Sequence, residues 1–446
     1  MNERKKISLA EAMQFWLKLG FISFGGPAGQ IAIMHRELVE RRGWISENRF
    51  LHALNYCMVL PGPEAQQLAT YIGWLMHGTW GGIVAGGLFV LPSLIILIAL
   101  SWAYIAFGTV PVVAGLLYGI KPAVTAIVLF AAWRIGRRTI RNPALLIIAA
   151  AAFAAIFFFS APFPAIVLSA AIAGAIGSRW MPIQFSAAGH ERKIVADTVA
   201  IIDDHTPTPE HAKFQWTRFS VYLLAGAAMW LSMMLVIDCC VGTDSTLLQM
   251  GWFFTKAALL TFGGAYAVLP YVYQGAVEGF QWLTPQQMMD GLALGETTPG
   301  PLIMVVAFVG YVGGWTKAVL GPEAQFLGGA VAACIVTYFT FLPSFLFILI
   351  GGPLVESTHG QIKFTAPLTA ITAAVVGVIV NLGLFFAWKV WWPQASISDP
   401  FCGVFEWFSV LLTILATTAL LANRIGIIPT ILACGAAGIA KTILGT

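Results

Sequence analysis

Charge is what this chain of 446 residues has least of. Asp, Glu, Lys and Arg make up 10% of it, where a soluble domain carries about 25%. Too few polar side chains remain to cover a water-facing surface, so a soluble globular protein is excluded. Residues 65–120, 142–178, 219–237, 324–355 and 364–388 contain none of the four. Crossing a hydrocarbon core takes roughly 20 residues of helix, and these runs reach or exceed that length. The chain reads as an all-α, polytopic membrane protein. Motifs for driven or hydrolytic chemistry are also missing. No GxxxxGK[ST], HExxH or GxSxG occurs, which leaves ATP drive and the familiar hydrolases without support.

Metal-ligand spacing is absent too. The six cysteines, Cys57, Cys239, Cys240, Cys334, Cys402 and Cys434, form no CxxC. They read as small buried hydrophobes, with Cys239-Cys240 as an alternative metal-reactive thiol pair. His35, His52 and His77 do not share a helix face, and no carboxylate cluster accompanies them. No cofactor and no metal are expected. The net charge of +4 does not point to nucleic acid, because the basic residues cluster where membrane topology requires them. Met1 to Lys6 lead into no signal-peptide core, so the N-terminus is expected to be retained.

What the chain does have is a second copy of itself. At an offset of 238 residues Phe24-Gly25-Gly26 falls on Phe262-Gly263-Gly264, Trp44 on Trp282, and Pro61-Gly62-Pro63 on Pro299-Gly300-Pro301. After an insertion of 13 residues in the second half, an offset of 251 brings Leu91-Pro92-Ser93 onto Leu342-Pro343-Ser344. The expected division is an N-terminal repeat (1–178), a hydrophilic cytoplasmic linker (179–218), an inverting span (219–240) and a C-terminal repeat (241–446). The linker holds ten charged residues and three histidines and reads as a tether. Basic loops stay cytoplasmic. The first half carries them at Arg4 to Lys6, His35 to Arg49, Arg134 to Arg141 and from Arg179 onward. His35 to Arg42 aligns with Tyr273 to Phe280, where every basic residue is gone. Opposite sidedness explains that loss, and inverted-topology repeats are a recurrent transporter architecture.

Each half has two apolar segments broken by Gly or Pro. They are residues 8–34 and 48–77, then 249–280 and 286–315. Four uninterrupted spans follow each pair, near 80–107, 111–133, 143–160 and 163–179, and near 324–352, 364–390, 405–421 and 426–443. If the broken segments are re-entrant hairpins rather than full crossings, every basic loop of the first half faces the cytoplasm.

A helix broken at membrane depth leaves backbone groups that lipid cannot satisfy. Its exposed N-terminus also attracts anions. Four breaks in register therefore nominate a central anion site built from Phe24, Gly25, Gly26, Pro61, Gly62, Pro63, Phe262, Gly263, Gly264, Pro299, Gly300 and Pro301. The plainer alternative is kinks and close helix packing. Lys18, Lys121 and Lys256 lie in apolar surroundings and are either anion partners or anchors snorkelling to the interface. Glu64 and Glu296 flank the Pro-Gly-Pro breaks and are candidate proton carriers, or helix-capping carboxylates. Gln66, Gln67, Thr297 and Thr298 add neutral hydrogen-bonding groups.

In Ser23 to Gly29, Leu60 to Ala69, Leu91-Pro92-Ser93, Thr261 to Gly264, Val268-Leu269-Pro270 and Thr298 to Pro301 the sequence resembles the chromate ion transporter family in its long, two-domain form. The resemblance implies chromate efflux across the plasma (inner) membrane, drawing on the proton-motive force and conferring chromate resistance, with sulfate as a look-alike anion. The partners implied are a small oxyanion, protons and membrane lipid, with a homodimer left open and no nucleic acid. Ala265-Tyr266 stands in place of Pro27-Ala28, and Leu302 in place of Glu64, so the site is not expected to be symmetric. An intramembrane enzyme or lipid-handling protein would need a nucleophile–base or metal set at membrane depth, and the sequence shows none.

Overall fold

A computed structural model describes residues 7–24, 26–181, 200–203, 206, 209–358, 365–395, 399–422 and 424–444. The first half contains α1 (Leu9–Ile22), α2 (Gly26–His35), α3 (Glu47–Val59), α4 (Glu64–Phe107), α5 (Pro111–Thr139), α6 (Pro143–Phe159) and α7 (Phe163–Trp180). A single helix, α8 (Trp216–Val241), leads to the second half. There follow α9 (Thr246–Leu260), α10 (Ala265–Tyr273), α11 (Pro285–Thr297), α12 (Val305–Thr316), α13 (Gln325–Thr358), α14 (Thr365–Trp391), α15 (Trp407–Leu421) and α16 (Ile427–Leu444). Among the described residues the only β contact is an isolated bridge between Ile45 and Ile202. Seven helices of the described residues are long and apolar enough to cross a membrane. The chain is thus an all-α, multi-pass membrane protein.

Local sequence explains where the helices of the broken segments begin. Ser8, Ser46 and Ser245 cap α1, α3 and α9, and Thr284 with Gln287 forms a reciprocal capping box at α11. Positive-φ glycines (Gly26 at 70°, Gly62 at 130°, Gly264 at 93°, Gly300 at 102°) turn the chain at the breaks, where an L side chain would be strained. Each broken segment doubles back on itself. Tyr56 of α3 meets Tyr71 of α4 with ring centroids 5.8 Å apart, and Phe253 of α9 stacks on Tyr271 of α10 at 4.8 Å. Across the other two breaks, the Arg42 guanidinium lies 4.8 Å from the Phe15 ring, and Gly291 of α11 packs against Phe308 of α12. A continuous helix would hold such pairs some 20 Å or more apart at 1.5 Å per residue, so these are hairpins.

Several details differ from the sequence reading. The second arm of the first hairpin runs past residue 34, continuing from α2 as a π-helical turn over Arg36–Arg41. Helix α4 joins a hairpin arm to the following span through a kink at His77 and Gly78. The second half instead separates α12 from α13 by a loop and a short turn near residue 322, where its 13-residue insertion falls. Arg134 to Arg138 lie in the last turns of α5 rather than in a loop. Four of the six cysteines are exposed, and only Cys57 and Cys434 are buried. The linker is more than a tether. Ile201 and Ile202 bond to the backbone of Gly43 and Trp44, and His211 bonds to the Trp74 carbonyl at 2.8 Å.

Where spans pack, small residues let backbones approach, the usual device in lipid. A Cβ on Gly119 of α5 would meet the Cys434 carbonyl of α16 at 2.0 Å, and one on Gly377 of α14 would meet the Ala149 carbonyl of α6 at 2.0 Å.

Candidate functional site

The tips of the four hairpins meet, and they do so by exchange between the halves. The Gly62 N–H of the first Pro-Gly-Pro donates to the Thr261 carbonyl at 2.7 Å. Reciprocally, the Gly300 N–H of the second donates to the Ser23 carbonyl at 2.8 Å. Thr261 and Ser23 are themselves repeat equivalents. The Leu-Pro-Ser motifs join the same exchange. A Cβ on Gly62 would lie 2.5 Å from Ser344 Oγ, and one on Gly300 would lie 2.7 Å from Ser93 Cβ. Each Pro-Gly-Pro glycine therefore sits against the serine of the opposite half, and only glycine allows that approach.

Four helix starts converge at these tips: α2 at Gly26, α4 at Glu64, α10 at Ala265, and the turn from Leu302 into α12. Their first N–H groups lack intrahelical acceptors and carry the positive end of the helix dipole. Gly26, Gly62, Pro63, Gly264, Pro299, Gly300 and Pro301 are buried, Pro61, Phe262 and Gly263 half-buried, and Phe24 exposed. Gly25 lies outside the described residues.

The two carboxylates have different settings. Glu296 is buried and accepts a hydrogen bond from the Tyr266 hydroxyl. Tyr266 is the residue by which the second half departs from the first at this break, so the departure supplies the carboxylate's partner. Glu64 is half-buried and forms no hydrogen bond or ion pair among the described residues, and its Oε1 lies toward Gly264. Two arginines spaced four residues apart on α5 act on them through space, Arg138 on Glu64 and Arg134 on Glu296. Neither arginine was singled out from the sequence. The signal was an i, i+4 pair ending an otherwise apolar span.

The lysines are not gathered here. Lys18 and Lys256 lie on exposed faces of α1 and α9, and neither forms an ion pair among the described residues. Lys121 lies 3.9 Å from Asp290, which also accepts from Tyr104 at 3.0 Å. A second buried cluster links the halves elsewhere. Arg49 of α3 pairs with Glu356 of α13 at 2.5 Å, and Tyr71 donates to the same carboxylate. The linker adds the carbonyls of Asp203 and Thr206, which accept from the Arg49 guanidinium. In the sequence Asp290 and Glu356 carry no signal and Arg49 is only the end of a basic loop, because each becomes notable only once its partner from the other half is known.

Neutral polar groups complete the lining. Ser23, Gln30, Gln66, Gln67 and Ser344 are almost fully buried, and each keeps one side-chain atom without a partner. Thr298 is buried and Thr297 half-buried, and both hydroxyls return to the backbone of α11. Among the described residues no group of His, Cys, Asp and Glu could hold a metal ion.

Comparison with known proteins adds an independent line. The family model described as chromate transporter matches residues 10–175 and 248–439. A chromate transport protein of Pseudomonas aeruginosa is 31% identical over 95% of this chain and 90% of its own length. A probable chromate transport protein of Synechococcus elongatus is 29% identical over 84% of this chain and 83% of its own. A chromate transport protein of Cupriavidus metallidurans is 28% identical over 85% and 83%. No solved structure matches the chain.

Proposed function

This chain belongs to the chromate transporter family, and on that premise we propose that it exports chromate across the plasma membrane, driven by the proton-motive force. Family membership implies a transporter rather than an enzyme. The observation that carries the reading is the reciprocal bonding of Gly62 to Thr261 and of Gly300 to Ser23. It supports reading the four dipole-bearing helix starts as one anion site between the halves, of the kind that broken helices form in transporters of inverted-repeat design. The anion is held by backbone N–H groups, with Arg134 and Arg138 offsetting its charge at longer range. Glu64 and Glu296 are the proton-responsive groups. The two halves, 1–178 and 241–446, insert in opposite senses about α8 and rock against each other around the tips.

The deciding experiment is chromate flux in proteoliposomes of the purified protein, with and without an imposed pH gradient. Flux that appears only with protein and responds to the gradient is expected. Absence of chromate flux, or flux of sulfate alone, refutes the chromate assignment. Glu64→Gln cannot release a proton, so it should keep anion exchange and lose the response to the gradient. An unchanged response removes Glu64 from coupling. The opposed orientation is read by cysteine labelling from outside the cell, which should reach position 278 and not position 40; equal labelling of both rejects it.

A further inference from the structure

We propose that two charged ties between the halves, Arg49–Glu356 and Lys121–Asp290, hold the protein shut on opposite faces of the membrane and must open in alternation during transport. The inference rests on the transport reading above and names the residues that close each face.

Both ties join a cation of the first half to a carboxylate of the second. Arg49 of α3 meets Glu356 of α13 at 2.5 Å, and Lys121 of α5 approaches Asp290 of α11 at 3.9 Å. Each carboxylate also accepts from a tyrosine of α4, Glu356 from Tyr71 and Asp290 from Tyr104. The Glu356 and Asp290 side chains are 3% and 4% exposed, so these are not surface pairs of little consequence. A buried ion pair adds little net stability over apolar packing of the same volume. Stability alone is therefore a poor reason to keep two of them between the halves.

The duplication relates the two ties. At the offset of 238 residues Asp290 falls on His52, one turn along α3 from Arg49, and at 251 Tyr104 falls on Val355, the neighbour of Glu356. Each tie thus links the first arm of one half's second hairpin to the far end of a long helix of the other half. Arg49 precedes Pro61 by 12 residues and Asp290 precedes Pro299 by nine, about 18 and 14 Å along their helices. The ties stand well away from the tips, toward the bases of the two hairpins. On the opposed insertion proposed above, those bases face opposite sides, Arg49 the cytoplasm and Asp290 the outside.

Rocking about the tips opens one face as it closes the other, so ties on opposite sides of that pivot cannot both stay tight. The structure holds them unequally. The cytoplasmic tie is in contact, and the Arg49 guanidinium also donates to the Asp203 and Thr206 carbonyls of the linker. The outer tie lies beyond hydrogen-bonding distance, and the Asp290 Oδ1 is buried without a hydrogen-bond partner among the described residues. This is a conformer shut on the cytoplasmic face and slackened on the outer one.

The test asks whether a tie made permanent stops transport. It uses the full-length protein with the exposed Cys239, Cys240, Cys334 and Cys402 replaced by alanine. Arg49→Cys/Glu356→Cys and Lys121→Cys/Asp290→Cys are each bridged with a short bifunctional methanethiosulfonate and assayed for chromate flux in proteoliposomes. Bridging either pair should abolish flux and reduction should restore it, while the single-cysteine variants treated alike keep theirs. A scaffold contact that never opens tolerates bridging, so a bridged pair that transports as fast as its reduced form overturns the proposal. Two milder variants decide the matter if a cysteine pair fails to fold. Tyr71→Phe removes one hydrogen bond to Glu356 and Tyr104→Phe one to Asp290, each enough to shift a two-state balance about tenfold. Apparent affinity on a face scales with the fraction of protein open to it. In vesicles of the two orientations, the ratio of cytoplasmic to outer KM should fall about tenfold in Tyr71→Phe and rise about tenfold in Tyr104→Phe. Shifts of the same sign, or none, overturn the proposal and leave chromate transport standing. Absence of chromate flux in the wild type fails the transport reading itself and is seen before any variant is made.

Discussion

Alanine at Gly300 should be among the most damaging small substitutions in the chain, for two separable reasons. The backbone there has φ +102°, which an L side chain adopts only under strain of about 1–3 kcal/mol. The added Cβ would also lie 2.7 Å from Ser93 Cβ and 3.1 Å from its Oγ. Carbon atoms prefer roughly 3.5–4.0 Å, so the tip must retreat by about 1 Å. Overpacking of this kind costs about 1–3 kcal/mol. Ser93 Cβ is fixed to its helix and cannot rotate away. The retreat also stretches the 2.8 Å bond from Gly300 N–H to Ser23. The sum is about 2–6 kcal/mol. Ser93→Gly in the same chain should restore the contact part and leave the backbone strain, a coupling of about 1–3 kcal/mol in a double-mutant cycle. Gly87→Ala is the control, because a Cβ there meets nothing within 4 Å. As a helical glycine it should be neutral or gain up to about 1 kcal/mol. Equilibrium unfolding in mixed micelles measures the wild type, the three variants of the cycle and the control, and chromate flux reports whether the tip still works. The reasoning fails if Gly300→Ala is as stable as Gly87→Ala, or if the cycle shows no coupling.

Three further outcomes are expected. Arg49→Met strands Glu356, whose side chain is 3% exposed, and should cost about 3–5 kcal/mol in the same unfolding assay, with Arg49→Met/Glu356→Gln losing less. Lys121→Met leaves Asp290 with Tyr104 alone and should cost about 1–3 kcal/mol, whereas Lys18→Met and Lys256→Met should stay within about 0.5 kcal/mol and retain chromate protection in cells. His211 is held below its usual pKa, chiefly by burial against Trp74. The released linker therefore binds more proton than the docked one, so docking is unaffected above about pH 6.5 and weakens as pH falls below it. Limited proteolysis of the linker should quicken in mild acid, and His211→Gln should remove that pH dependence.

Composition and local motifs are enough to settle the membrane class, the duplication and the place of every break. Charge-free runs have few fates other than lipid, and glycine and proline act locally, so their effect is legible without the fold. The Pro-Gly-Pro and Leu-Pro-Ser motifs could be aligned between halves, yet nothing local says that Gly62 rests on Ser344 or Gly300 on Ser93. That contact joins residues more than 200 positions apart and exists only because the halves interlock. The same holds for Arg49 with Glu356 and for Lys121 with Asp290. One partner of each pair is an ordinary polar residue until the other arrives from the opposite half. Lys18 and Lys256 show the converse. Their repeat symmetry was visible in sequence, but the rotation of α1 and α9 about their own axes set both side chains on exposed faces. Periodicity tells which residues share a helix face; only packing against neighbouring helices decides where that face points.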